Sequence, residues 1–251
     1  MLARLTSKPD LIQRAQHSQA SAQRWAGKRG MMSKYYDKSR IEDLVQTNRH
    51  RNAVGGMWGE MGALQLEALT SLGLTPTHSV LDVGCGSLRL GRKLVRFLDE
   101  GQYYGTDLNT SLLEAGYEKE LDAFLQARLP RENLRQHDVT ETVPFDRTFD
   151  YLVAFSLFTH LTEAQSTAAL QSISRCMHEA SCLMATYFVT EQDPQQPHVH
   201  GSGITTYFDQ DPFHVTTGTL EEMASAAGLV ANPVDQIVHP RGQKLFAFRS
   251  S

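Results

Sequence analysis

Val80-Leu81-Asp82-Val83-Gly84-Cys85-Gly86-Ser87 reads as an apolar strand running straight into a glycine-rich turn. A helix is expected over 88–98, where Leu90, Leu94, Val95 and Leu98 share one face. Gly84 and Gly86 let backbone approach a ligand with no Cβ in the way, and a helix N-terminus near Ser87 favours a carboxylate or phosphate. In an open parallel sheet such a turn sits at the carboxyl end of the first strand, where ligands bind near the switch in strand order.

Outward from this turn, short apolar runs alternate with longer helical segments, the pattern of a parallel sheet wrapped by helices. Strands are predicted at 80–83, 103–106, 134–137, 151–155, 182–189, 230–237 and 244–248, and a second helix at 111–125. Thr162 and Gln165 have capping-box spacing and announce a further helix from Glu163. Another is expected over 220–227, stopping at Gly228. Residues 191–212 are rich in Pro, Gln, His and Gly and form the one long loop, a feature that in compact domains is usually functional or disordered. The chain divides into a helical N-terminal extension, 1–74, and an α/β domain, 75–251. In the extension, Trp58, Met61, Leu64, Leu66, Leu69 and Leu72 recur at helical intervals before Gly73.

With 251 residues, 41% hydrophobic and 21% charged, the composition suits a soluble globular chain. No apolar run approaches the ~20 residues that cross a bilayer, and no secretory leader is visible, so a cytoplasmic location is expected. Cys85, Cys176 and Cys182 lack paired metal spacings, and neither disulfide nor metal is expected. Residues 1–51 carry eleven Lys and Arg against four Asp and Glu, while the other 200 carry thirteen against twenty-four. A basic arm on an acidic domain suits either an anionic partner such as nucleic acid or a solvated helical face docked on that domain.

The glycine turn alone does not choose a ligand. A dinucleotide fingerprint wants a third glycine where Arg89 stands, whereas Asp82, two residues before Gly84, suits a ligand carrying an ammonium group. With these residues, 75–250 resembles the class I S-adenosylmethionine-dependent methyltransferases, and 53–60 with 81–89 look like a bacterial subgroup acting on small molecules or glycans. The resemblance implies a Rossmann-like, seven-stranded, mostly parallel sheet with helices on both faces and an antiparallel last strand. It also implies that Asp82, Gly84, Cys85 and Gly86 surround the methionine portion of the cofactor. Many relatives carry a third glycine where Leu88 stands, which puts contacts beyond Gly86 in doubt.

Asp107, at the end of the second strand and followed by Leu108, can accept hydrogen bonds from ribose hydroxyls or cap the next helix. By resemblance Asp138 receives the adenine amino group and Val139 packs on the ring. Leu108 and Phe155 belong by the same resemblance to the cofactor contacts, and Ser156–Leu161 is similar to a family segment that lines the methyl-transfer cleft. Methyl transfer to a hydroxyl needs alignment and removal of one proton, a task suited to histidine. His160 and His214 are the first candidates for that base, with His198, His200 and Glu191 behind them; His137 reads as a strand-end residue. Trp58 and Glu60 could close over the cofactor or belong to the core. The expected activity is methylation of a small-molecule or sugar hydroxyl, yielding S-adenosylhomocysteine. The absence of an Asn/Asp-Pro-Pro-aromatic segment and of a Pro-Cys nucleophile lowers a nucleic-acid reading. The alternatives are nitrogen or RNA methylation using the basic arm, and a non-catalytic cofactor-binding regulator.

Overall fold

The structure, a computed structural model, describes residues 33–251. Seven strands form the main sheet: β1 (Val80–Val83), β2 (Tyr103–Asp107), β3 (Leu134–Gln136), β4 (Phe149–Ala154), β5 (Met177–Val189), β6 (Leu229–Pro233) and β7 (Lys244–Ser250). Their order is β3-β2-β1-β4-β5-β7-β6. β1 pairs in parallel with β2 and β4, and β7 runs antiparallel to both β5 and β6. A two-residue strand, His214–Val215, joins the end of β5 in parallel and makes the sheet eight-stranded. The order reverses between β1 and β4, so a crevice opens at their carboxyl ends.

Both faces of the sheet are covered, which is why β1 is buried along its whole length. Leu81, Val83, Leu152, Ala154, Leu183 and Ala185 pack in one core. The intervening Val80, Val153, Cys182 and Met184 pack in another on the opposite face. The two-residue period of the strands therefore sorts side chains into two layers.

The helices are α1 (Lys38–Gln46), α2 (His50–Ala53), α3 (Trp58–Ser71), α4 (Gly91–Phe97), α5 (Thr110–Ala115), α6 (Ala123–Arg128), α7 (Glu163–Ser174) and α8 (Thr217–Ala226). The capping box at Thr162 and Gln165 is present with both of its hydrogen bonds. Of the expected N-terminal extension, 1–32 lie outside the described residues. Among the described residues no helix is long and apolar enough to cross a membrane.

Two predicted helices are corrected. The first begins at Gly91 rather than Leu88, because Leu88 adopts φ +65°, in the left-handed region, and turns the chain once more before α4. Leu88 is fully buried, and its packing holds a conformation that glycine adopts more readily. The helix N-terminus expected at Ser87 is therefore absent there. The second, 111–125, is broken into α5, a π-helical turn at Gly116–Glu120, and α6, whose N-cap Asp122 accepts from the Leu125 N–H. Gly116 lies so close to Ser87 that a Cβ would stand 2.7 Å from its carbonyl carbon, seating the turn against the glycine loop.

Candidate active site

Beyond β1 the chain turns through Gly84 (φ +74°) and Gly86 (φ +56°), both left-handed. The Gly84 and Cys85 N–H groups both donate to the Thr106 carbonyl, at 2.8 and 2.9 Å, which ties the loop to the end of β2. Gly86 N–H donates to Asp107 Oδ2 and Asn109 N–H to Asp107 Oδ1, each at 2.9 Å. Asp107 thus braces the glycine loop. It does not cap α5, whose N-cap is Asn109 with no side-chain cap bond.

The crevice is open to solvent, and the space between its walls, that open solvent included, is about 980 Å³. Its walls include every residue assigned to cofactor contact from the sequence: Asp82, Gly84, Cys85, Gly86, Asp107, Leu108, Asp138, Val139 and Phe155. Parallel connectivity explains the convergence, since Asp82 and Asp107 lie in the carboxyl ends of β1 and β2, Asp138 follows β3, and these ends meet the same edge. Burial pushes Asp82 up to about 7, against a 3.0 Å hydrogen bond from the Tyr103 hydroxyl and the charge of Arg89. Burial likewise lifts Asp107 to about 6, opposed by the N–H groups of Asn109 and Gly86. Neither acid has an ion-pair partner among the described residues. Two such carboxylates suit a ligand that brings positive charge and hydroxyl donors.

Asp138 accepts at Oδ1 from the Thr140 N–H and hydroxyl, at 3.0 and 2.8 Å. Its Oδ2 accepts from the Tyr36 hydroxyl at 3.1 Å, so a side chain from the N-terminal segment already touches the acid expected to meet adenine. That segment roofs the crevice. Ser33, Tyr35, Tyr36 and Val54 line it, and Asn109 donates to the Tyr35 carbonyl at 3.1 Å. The roof is clamped by buried Glu120, which accepts from His50 and Arg51 at 2.7 Å each, with Arg92 at 3.7 Å. Arg89, also in the wall, donates through Nη1 to the carbonyls of Val54 (2.9 Å) and Gly56 (3.2 Å).

After β4, Ser156 turns through φ +55°, with its N–H held by Thr186 Oγ1 at 2.7 Å. The 3₁₀ turn Phe158–His160 follows and brings His160 into the wall. His160 Nδ1 lies 2.6 Å from Asp211 Oδ1, and its ring meets that of Tyr35 edge-on at 5.0 Å. Burial raises Asp211, but the hydrogen bond and charge of His160 outweigh it and hold the carboxyl below its ordinary range. An ionised Asp211 can only accept, so Nδ1 is the donor in this hydrogen bond.

His214 is placed apart from His160. It is 2% exposed, lies outside the crevice, and has Nδ1 bonded to Thr206 Oγ1 (2.8 Å) and Nε2 to the Pro194 carbonyl (2.9 Å). His198 and His200 lie against this same group rather than in the wall. Glu191 is exposed and accepts from the Thr217 hydroxyl. His137 lines the crevice from the end of β3, with Nε2 3.1 Å from the Glu141 carbonyl and its pKa lowered by burial. Trp58 packs against Arg51 and His50, and neither it nor Glu60 reaches the crevice.

Residues 81–183 match a family model described as a methyltransferase domain. The match runs from β1 into β5 and covers less than half of the chain, which is similar there to a methyltransferase domain. The same fold recurs in three solved structures. Magnesium protoporphyrin IX methyltransferase from Synechocystis PCC 6803, with bound S-adenosylhomocysteine, is 12% identical, covers 85% of this chain and 100% of its own, and gives a TM-score of 0.59. The neocarzinostatin-biosynthesis O-methyltransferase NcsB1 is 18% identical over 84% of this chain and 61% of its own, with a TM-score of 0.55. The glycopeptide N-methyltransferase MtfA is 16% identical over 78% and 92%, also at 0.55. The sequence pointed to the acids that line the crevice but not to Tyr35, Tyr36, Arg89 or Asp211 beside them. Only the length of the 191–212 loop had marked the region of Asp211.

Proposed function

We propose that the protein transfers the methyl group of S-adenosylmethionine to a hydroxyl of a small molecule or sugar, with His160 as general base. The crevice fits the cofactor. Asp82 would take the ammonium, the Gly84-Cys85-Gly86 loop the adjoining backbone contacts, Asp107 and Leu108 the ribose, and Asp138, Val139 and Phe155 the adenine side. When bound, S-adenosylmethionine supplies a methyl group already activated on a sulfonium, so the protein has only to align the acceptor and remove its proton.

The observation that carries the reading is His160 in the crevice wall with Nδ1 2.6 Å from Asp211. Asp211 fixes the tautomer and ring orientation and stabilises the imidazolium. His160 Nε2 takes the hydroxyl proton as the oxygen attacks. Tyr35 packs on the imidazole and keeps bulk water from it. A crevice roofed by the chain's own residues 33–56 supports an acceptor small enough to slip beneath them.

Incubation with methyl-labelled cofactor and cell extract, followed by identification of the labelled product, tests the activity. His160→Ala is expected to lower turnover about 100- to 10,000-fold while leaving S-adenosylhomocysteine affinity unchanged. Full turnover by this variant would remove His160 as base. Failure of the folded wild type to bind S-adenosylhomocysteine would remove the cofactor.

A further inference from the structure

We propose that the methyl acceptor is a phenol, an acidic hydroxyl on a flat apolar ring, rather than a sugar or other alcohol. The inference rests on the reading of His160 as general base above and names the substrate class of that same site.

Apolar side chains flank His160 in the crevice wall. Leu157 and Leu161 stand at the two ends of its 3₁₀ turn, and Tyr35 lays its ring edge-on at 5.0 Å. The polar side chains of the wall are mostly bonded within the protein already. Ser33 Oγ accepts from the Tyr35 N–H at 3.3 Å, and Asn109 Nδ2 donates to the Tyr35 carbonyl. Ser156 Oγ donates to Gln243 Oε1 at 3.0 Å, and the Tyr36 hydroxyl donates to Asp138. Gln65 and Arg89 keep unbonded atoms, but Arg89 is near enough to Asp82 to lower that carboxyl's pKa, which puts it toward the cofactor end. Of the side chains flanking His160, Tyr35 alone offers a free hydroxyl. Burial, with Asp107 and Asp211 nearby, pushes it up to about 12, so it stays protonated and offers one hydrogen bond. A sugar brings several hydroxyls, and each one desolvated here without a partner weakens binding. An aromatic ring asks only for apolar walls.

The chemistry of a histidine base points the same way. An ordinary imidazole titrates near ~6.5 and a phenol near ~10, whereas an alcohol lies close to water at ~15.7. A phenol proton is therefore roughly 100,000-fold easier for such a base to remove than an alcohol proton. As the phenol oxygen attacks the methyl carbon of the sulfonium, an O–C bond forms and the S–C bond breaks, leaving its electron pair on sulfur. The phenol proton passes to His160 Nε2 and later to solvent. The products are an aryl methyl ether and S-adenosylhomocysteine.

Methyl-labelled S-adenosylmethionine with phenol, naphthol, cyclohexanol or methyl glucoside as acceptor tests this. Wild type is expected to label phenol or naphthol at least about 100-fold faster than either alcohol. Label favouring cyclohexanol or the glucoside, or equal in all, overturns the proposal. Label in none, with S-adenosylhomocysteine bound normally in calorimetry, overturns it while leaving the cofactor reading intact, whereas no binding removes both. Para-nitrophenol is mostly ionised at about pH 8 and needs no base, so His160→Ala should keep its turnover within about tenfold of wild type while losing about 100- to 10,000-fold on neutral phenol or naphthol. Equal losses on the ionised and neutral phenols would overturn the base reading and this proposal together.

Discussion

Gly86→Ala probes the contact between the glycine loop and the N-terminal roof. Gly86 has φ +56°, and a Cβ there would overlap the Val54 Cγ1 methyl. Two costs follow. Holding an L-residue in the left-handed region costs about 1–2 kcal/mol. Driving the stiff, β-branched Val54 from its rotamer costs roughly 1 kcal/mol more. The sum is about 2–3 kcal/mol, which with a urea slope near 3 kcal/mol/M lowers the midpoint by about 1 M. Val54→Ala removes the overlapping methyl and should return the second cost but not the first. The double variant is then about 1 kcal/mol more stable than the two single effects added together. Gly84→Ala is the control, since it shares the backbone cost (φ +74°) but meets Leu157 Cδ1 at 3.1 Å, where little movement is needed. Strict additivity of Val54→Ala and Gly86→Ala, in urea titrations at unchanged slope, would refute the roof's seat on the loop.

Two further outcomes are expected. Because burial places Asp82 at about 7 in the free protein, S-adenosylhomocysteine affinity should fall as pH drops from 8 to 6, approaching tenfold per unit below 7, and Asp82→Asn should flatten the profile in calorimetry. The same shift acts on stability in the opposite sense. The folded pKa lies above the ordinary 3.8, so the contribution of Asp82 is full below pH 3.8 and is lost as pH rises through 7; thermal melts of the ligand-free protein read the slope, which Asp82→Asn removes. His214→Ala breaks two buried hydrogen bonds and should destabilise the fold by about 1–3 kcal/mol, with turnover per folded molecule unchanged. A large turnover loss in stably folded His214→Ala would place that histidine back among the catalytic candidates.

The parts of the site legible in the sequence are those that local order dictates. Asp82, Asp107 and Asp138 each lie in or just beyond the carboxyl end of a strand, and parallel pairing brings those ends to one edge, so their convergence follows from reading the strands correctly. The same rule could not separate His160 from His214, because each lies in a connection that follows a predicted strand. The difference lies in Asp211 and Thr206, partners fifty-one and eight residues away with no spacing signature. Tyr36 meets Asp138 across 102 positions, and periodicity says nothing about such a pair. The turn at Leu88 was hidden for another reason. Apolar spacing continued through it as though a helix had begun, and only burial of the leucine sustains its left-handed backbone.

Glu120 gives the molecule two different boundaries. Judged by hydrogen-bonded strands, a unit begins at β1, and a shortened version starting there would retain the entire sheet. Such a version would leave a buried carboxylate facing a single arginine 3.7 Å away, because His50 and Arg51 would be gone. It would also strip the cover from Gly86 and unhook Arg89 from both of its carbonyls. The scaffold and the reaction chamber are therefore not coextensive, and any chimera that grafts this chamber onto another protein has to carry residues 33–56 along with the strands.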